Sequence, residues 1–154
     1  MKKHPEKIGF NLQNIRTEQF AILEENYTPE KAINLSTTVA FKINIENRQI
    51  GVFAKFEFVQ VKKIFLKIEL SCHFELNKPS WDSLKNDQKT KLQVPKDFLA
   101  HLLIITVGTT RGVLFAKTEN TPYHQFIIPS LDIQDIANED AIFDLIDSDT
   151  NEAD

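Results

Sequence analysis

The chain has 154 residues, of which 42% are hydrophobic and 26% charged, with a formal net charge of −4 at pH 7. That length suits one domain burying about two thirds of its unfolded surface, and the mix of apolar and charged residues is that of a globular protein. The negative balance excludes nonspecific binding to DNA or RNA, which needs a basic footprint along the phosphates.

From the N-terminus, residues 1–9 carry charge but no apolar run, so no secretory leader is expected. A first strand is expected over residues 14–24, where Ile15, Phe20, Ile22 and Leu23 alternate imperfectly. Residues 25–36 read as a connection, punctuated by Thr28-Pro29. The pattern then becomes clean. Val39, Phe41, Ile43 and Ile45 alternate with Ala40, Lys42, Asn44 and Glu46, the mark of a strand with one buried face. Ile50, Val52, Ala54, Phe56 and Phe58 repeat the period, and so do Ile64, Leu66, Ile68, Leu70, Cys72 and Phe74.

Turn parity constrains how these strands pair, because a one-residue slip sends every side chain to the wrong face. A two-residue turn at Asn47-Arg48 would pair Ile45 with Ile50, Ile43 with Val52 and Val39 with Phe56. The next turn must hold an odd number of residues. A turn of Gln60-Val61-Lys62 sets Lys55 against Lys67, whereas Val61-Lys62-Lys63 sets Lys55 opposite Glu69 and Glu57 opposite Lys67. Opposite charges favour the second register by about 0.2–1 kcal/mol per pair.

Beyond Asn77, Lys78-Pro79-Ser80-Trp81 can open a short helical turn, and residues 86–90 form a polar loop. Pro95 at a first helical position and Asp97 in the first turn start a long helix, which Lys117 closes favourably for the dipole. One stripe of that helix is Phe98, Leu102, Ile105, Thr109 and Gly112; its neighbour is Leu99, Leu103, Thr106, Thr110 and Val113. Residues 102–107 leave almost no polar side, so the helix must be covered on more than one side. The sheet supplies one cover, and a partner subunit or second helix must supply another. Arg111 argues against a membrane span, where it would cost about 2.5–3.5 kcal/mol, so a cytoplasmic protein with no membrane insertion is expected. Residues 121–133 read as extended, with a turn at Pro129. Residues 138–154 are acidic, with Ile142, Leu145 and Ile146 able to form one amphipathic turn in an otherwise mobile tail. The expected fold is α+β: a four-stranded antiparallel sheet packed by a long helix and a shorter C-terminal helical segment. Residues 1–136 form the domain and residues 137–154 the tail.

No chemistry-bearing constellation emerges. Gly108-Thr109-Thr110-Arg111-Gly112 invites comparison with a phosphate-binding loop, but Val113 and Leu114 stand where lysine and a hydroxyl residue are needed. Each interior glycine costs about 1 kcal/mol against alanine in a helix, and two glycines four residues apart share a face. A close helix–helix contact across a subunit interface would offset that cost, with Leu102, Ile105, Gly108, Thr109 and Gly112 as candidate interface residues. Cys72, the single cysteine, lies in an apolar strand pattern and reads as a buried inert thiol. His4, His73, His101 and His124 are scattered, and His73 points away from Cys72 across the strand, so no metal site is expected. No catalytic residue, cofactor or Ser-His-acid arrangement is expected, and the chain reads as a binding module that is not an enzyme. Twelve Phe against two Tyr and one Trp give apolar area without hydrogen-bonding tips. Phe53 and Phe65 fall on the otherwise polar sheet face, and Tyr123, Phe126, Ile127 and Ile128 follow the helix. Burial against other elements or a neighbouring subunit is the ordinary reading of these residues. A groove for extended apolar polypeptide is the functional one.

The order of elements resembles the SecB family of export chaperones. The likeness spans about residues 12–136 and is strongest from Leu102-Leu103 through Thr109-Thr110-Arg111-Gly112 to Ile128-Pro129-Ser130-Leu131-Asp132-Ile133. Arg111 sits where the family helix carries an arginine before its turn, Pro129 resembles the proline of the closing segment, and Thr109-Thr110 replaces a proline–tyrosine pair. The resemblance implies a homotetramer, a dimer of dimers with the long helix inside. It also implies ATP-independent holding of unfolded or precursor polypeptides, with protein export and the SecA motor as the family context. A chaperone dedicated to one partner, such as an antitoxin, is a second reading, and a small-ligand carrier or enzyme using space under the sheet is a third.

Overall fold

The computed structural model describes residues 7–145. Four long strands, β1 (Phe10–Ile22), β2 (Asn34–Asn44), β3 (Gln49–Gln60) and β4 (Lys63–Leu76), form one antiparallel sheet in the order β1-β4-β3-β2. The expected α+β class holds. After β4 come α1 (Lys78–Ser83), β5 (Lys91–Val94), the long α2 (Lys96–Lys117), α3 (Ile133–Ile136) and β6 (Ala141–Asp144).

The central strands carry the core. Ile50, Val52, Ala54 and Phe56 of β3 and Leu66, Ile68, Leu70, Cys72, Phe74 and Leu76 of β4 are fully buried. Leu99, Leu102, Leu103, Val107 and Leu114 of α2 pack on them. Burying one such side chain stabilises by about 1.5–3 kcal/mol. The threonines on this helix face are buried without loss of hydrogen bonding: Thr106 donates to the Leu102 carbonyl (2.9 Å), and Thr110 to that of Thr106 (2.7 Å). By length and composition alone α2 could cross a membrane; in the fold one face of it is the core.

One register and one turn differ from the sequence expectation. The β2–β3 turn holds four residues, so Ile43 faces Ile50 and Phe41 faces Val52. An Asn44 side chain accepting from the Asn47 amide (3.1 Å) and a left-handed Arg48 (φ 52°) build the longer turn. Between β3 and β4, Lys55 does face Glu69 and Glu57 faces Lys67. The odd residue, however, is a bulge at Phe58/Val59 beside a two-residue Val61-Lys62 turn, both residues left-handed at φ 47° and 64°.

Because β1 and β2 lie on opposite edges, residues 23–33 must cross the end of the sheet. Buried Gln60 pins this crossing: its Oε1 accepts from the Thr28 amide (2.9 Å), and its Nε2 donates to the carbonyls of Thr28 (3.0 Å) and Lys31 (3.2 Å). The acidic segment expected to be mobile corrects in part. Residues 141–144 pair with β5, from Lys91↔Asp144 to Val94↔Ala141. Asp140 meanwhile accepts from the Lys96 amide and the Gln93 side chain, both at 2.9 Å, and so caps α2. Leu145 is the last described residue, and Ile146 and the rest of the acidic segment lie outside the described residues.

Candidate functional site

The exposed side of α2 is an apolar stripe at helical spacing. Ile104 is 56% exposed and Phe115 46%, and between them a Cβ built on Gly108 or Gly112 would meet no heavy atom within 4 Å. The chain returns alongside as residues 126–129, fastened by Arg111, whose Nε donates to the Ile128 carbonyl (2.7 Å) and Nη2 to that of Pro129 (2.9 Å). Gly108, Gly112, Phe115, Phe126, Ile127 and the Arg111 stem enclose a groove of about 320 Å³. Its floor is low because the glycines have no side chains, and Ile127, 58% exposed, forms the rim. The His124 ring lies 4.3 Å from the Phe115 ring, and its Nε2 is buried without a partner among the described residues.

One groove wall opens into an aromatic cluster. The Phe126 ring lies 5.1 Å from Phe65, 5.6 Å from Tyr27 and 5.9 Å from Phe58, and Tyr27 lies 5.3 Å from Tyr123. Burial raises the pKa of the Tyr123 hydroxyl, and the nearby Glu24, Tyr27 and Glu25 add to it. Of the expected client residues, Phe65, Tyr123 and Phe126 therefore meet, but Phe65 and Tyr123 are buried in the protomer's own core and cannot touch a client; only Phe126 borders the groove. Phe65 departs from the polar face on which alternation places it: the bulge turns its ring inward, fully buried. Phe53 stays on the opposite, outer face, edge-on to His73 at 5.7 Å. Tyr27 and Phe115 were not singled out by sequence, Phe58 was read only as an inward strand residue, and Ile127 only as an apolar residue following the helix. Phe115 could have been, since it continues the stripe of Ile104, Gly108 and Gly112.

The expected interface residues also divide. Leu102 is fully buried against the protomer's own sheet, so it is core and cannot meet a partner. Ile105 and Thr109 are half-buried on the flank of the helix. Thr109 donates to the Ile105 carbonyl (2.8 Å), and burial raises the pKa of the Cys72 thiol, with Thr106 and then Thr109 opposing. Gly108 and Gly112 face open space. Cys72 pairs with Ile15 of β1, and Ile15 (46% exposed) and Leu12 (41%) extend the apolar surface past the helix flank.

The outer sheet face holds a Ser-His-Glu grouping that spacing did not reveal. Fully buried Ser71 donates to Glu18 Oε1 at 2.6 Å, and His73 Nε2 lies 2.9 Å from the same hydroxyl. With its proton on Glu18, that oxygen can only accept from His73, so the imidazole is not a base toward it. The arrangement ties β1 to β4 and does not activate a nucleophile. No group of three metal-ligating side chains occurs among the described residues.

No protein-family model matches the chain, and no curated protein matches it. Among solved structures it is similar to a protein of unknown function from Streptococcus agalactiae, with 15% identity and a TM-score of 0.33. That match covers 81% of this chain and 98% of the other. A TM-score of that size carries no inference about function.

Proposed function

We propose that the chain is a SecB-like, ATP-independent chaperone that holds unfolded or precursor polypeptides in the cytoplasm. The observation that carries this reading is the α2 groove: open, apolar, floored by Gly108 and Gly112, and walled by Phe115, Phe126 and Ile127. Such a surface accepts apolar side chains of an extended peptide without demanding one sequence, because aromatic walls offer area and not hydrogen-bond readout. The exposed helix stripe also supports a homotetramer built as a dimer of dimers, since large contiguous apolar surface is normally covered. In this reading protein export, and hand-over to a SecA motor, is the physiological context.

The test is aggregation of a chemically denatured client followed by light scattering. Equimolar protein is expected to suppress scattering without ATP, and Phe115→Asp/Ile127→Asp to lose suppression while keeping the wild-type circular dichroism spectrum. Unchanged scattering with the wild-type protein would overturn the proposal. Capture of one stoichiometric partner, with no protection of denatured clients, would make the chain a partner-dedicated chaperone.

A further inference from the structure

We propose that the outer face of the sheet carries an oxyanion-binding site, separate from the apolar groove, built by Arg16, Lys42 and His73 over Gly51. The ligand class is a phosphate or carboxylate group. All four strands contribute. Lys42 of β2 faces Gly51 of β3, which faces His73 of β4; two residues along, Phe53 faces Ser71, which faces Arg16 of β1. These groups line a cavity of about 160 Å³ that contains no carboxylate among its lining residues.

Gly51 is the informative position. Glycine in the interior of a strand weakens it and often marks a bulge or a close approach by a ligand or another backbone. No bulge occurs at Gly51, and its φ is not positive. A Cβ there would lie 3.1 Å from the Phe53 ring and 3.2 Å from His73 Nδ1. The missing side chain thus lets the two rings pack edge-on over Gly51, where they form the floor of the cavity.

Neither Arg16 nor Lys42 forms an ion pair among the described residues. Glu18, which accepts from Ser71, acts on His73 but does not line the cavity, and Glu75 pairs with Arg48 at 3.6 Å. Lys42 Nζ sits 4.5 Å over the Phe53 ring, which holds the ammonium at the rim without neutralising it. Asn44 and Gln49 add amide donors at the open end. Two unpaired cations favour an anion, and His73, whose Nε2–H is committed to Ser71, adds a donor at Nδ1 only when it gains a proton.

The experiment is NMR of the His73 ring in the full-length protein at constant ionic strength, titrated with sodium phosphate in one arm and sodium acetate in the other. Saturable movement of the His73 resonances is expected in at least one arm, and the arm with the tighter response assigns phosphate or carboxylate. Arg16→Gln/Lys42→Gln should weaken that response by about tenfold or more, the usual scale for losing charge-assisted hydrogen bonds. Both side chains are exposed and unpaired, so the variant is expected to fold, with circular dichroism as the check. Gly51→Ala should weaken binding by displacing the rings of the floor, whereas Lys55→Gln, on the same face outside the cavity, should leave it unchanged. A linear, unsaturated response in both arms, or an equal response in the Arg16/Lys42 variant, would overturn the site.

Discussion

The glycine pair of α2 gives the sharpest prediction. Each glycine costs about 1 kcal/mol relative to alanine, because more backbone freedom is lost on folding. Neither position has a positive φ, and an added methyl at either meets nothing in the protomer. Nothing among the described residues offsets the cost. Gly108→Ala/Gly112→Ala should therefore stabilise the isolated protomer by about 2 kcal/mol, or roughly 4–8 °C in Tm for a chain of this length. If the face packs closely on another copy, the same methyls must weaken assembly, and Gly108→Leu or Gly112→Leu must weaken it further. Urea unfolding over a range of protein concentrations, with native mass from light scattering after size exclusion, separates the two effects. A stabilised variant of unchanged mass, with the leucine variants also unchanged, refutes the close contact. A destabilised variant at concentrations where the protein is monomeric refutes the claim that both positions face open space.

Three further outcomes follow from the packing and titration. Phe65→Ala removes a fully buried ring from the aromatic cluster, so a loss of about 3–5 kcal/mol is expected in denaturant unfolding; a loss below that of an exposed substitution such as Lys85→Ala would contradict its central place. His73 is held below its ordinary pKa of 6.5 by burial and then by Arg16, with Glu18 opposing. The folded state thus binds fewer protons than the unfolded one just below that value. Its contribution is complete above pH 6.5 and is lost as pH falls through the folded pKa, so His73→Gln should flatten the pH dependence of the urea midpoint there. Asp140 is held below the usual carboxylate value by hydrogen bonds from Gln93 and the Lys96 amide. Asp140→Ala should therefore lower Tm at neutral pH, and the gap from wild type should close as pH falls through that carboxylate's range; a constant gap would show that the cap is not the cause.

Much of the fold was legible because it is periodic. The even-numbered apolar set from Ile50 to Phe74 named the buried face of β3 and β4, and Pro95 and Lys117 bracketed α2 to within one residue. Parity could not separate registers two residues apart, since both keep the same side chains inward. That is why the β2–β3 turn was read as two residues and is four. Charge pairing did select the correct β3–β4 register, but not the bulge that reconciles it with a two-residue turn. The small β5–β6 sheet was missed because its pairs, such as Lys91 with Asp144, are four residues long and join segments far apart in sequence.

Sites assembled from several segments leave less trace. The groove stripe is one helix face and could be counted off, whereas the aromatic cluster draws Tyr27 from the crossing segment, Phe58 and Phe65 from a bulged hairpin, and Tyr123 and Phe126 from the return.

The size of the exposed surface then separates two roles for it. Ile104, Phe115 and Ile127 are about half exposed, so covering all three stabilises a complex by roughly 2–4 kcal/mol at 1.5–3 kcal/mol per fully buried side chain. Association costs on the order of 4–15 kcal/mol in lost freedom. The groove by itself therefore supports only weak, readily reversed contact, which is in keeping with the proposed holding and release of polypeptide. A permanent assembly has to recruit more, and Leu12 and Ile15 beside the helix flank, together with the open backbone edge of β1, are the surface that could supply it.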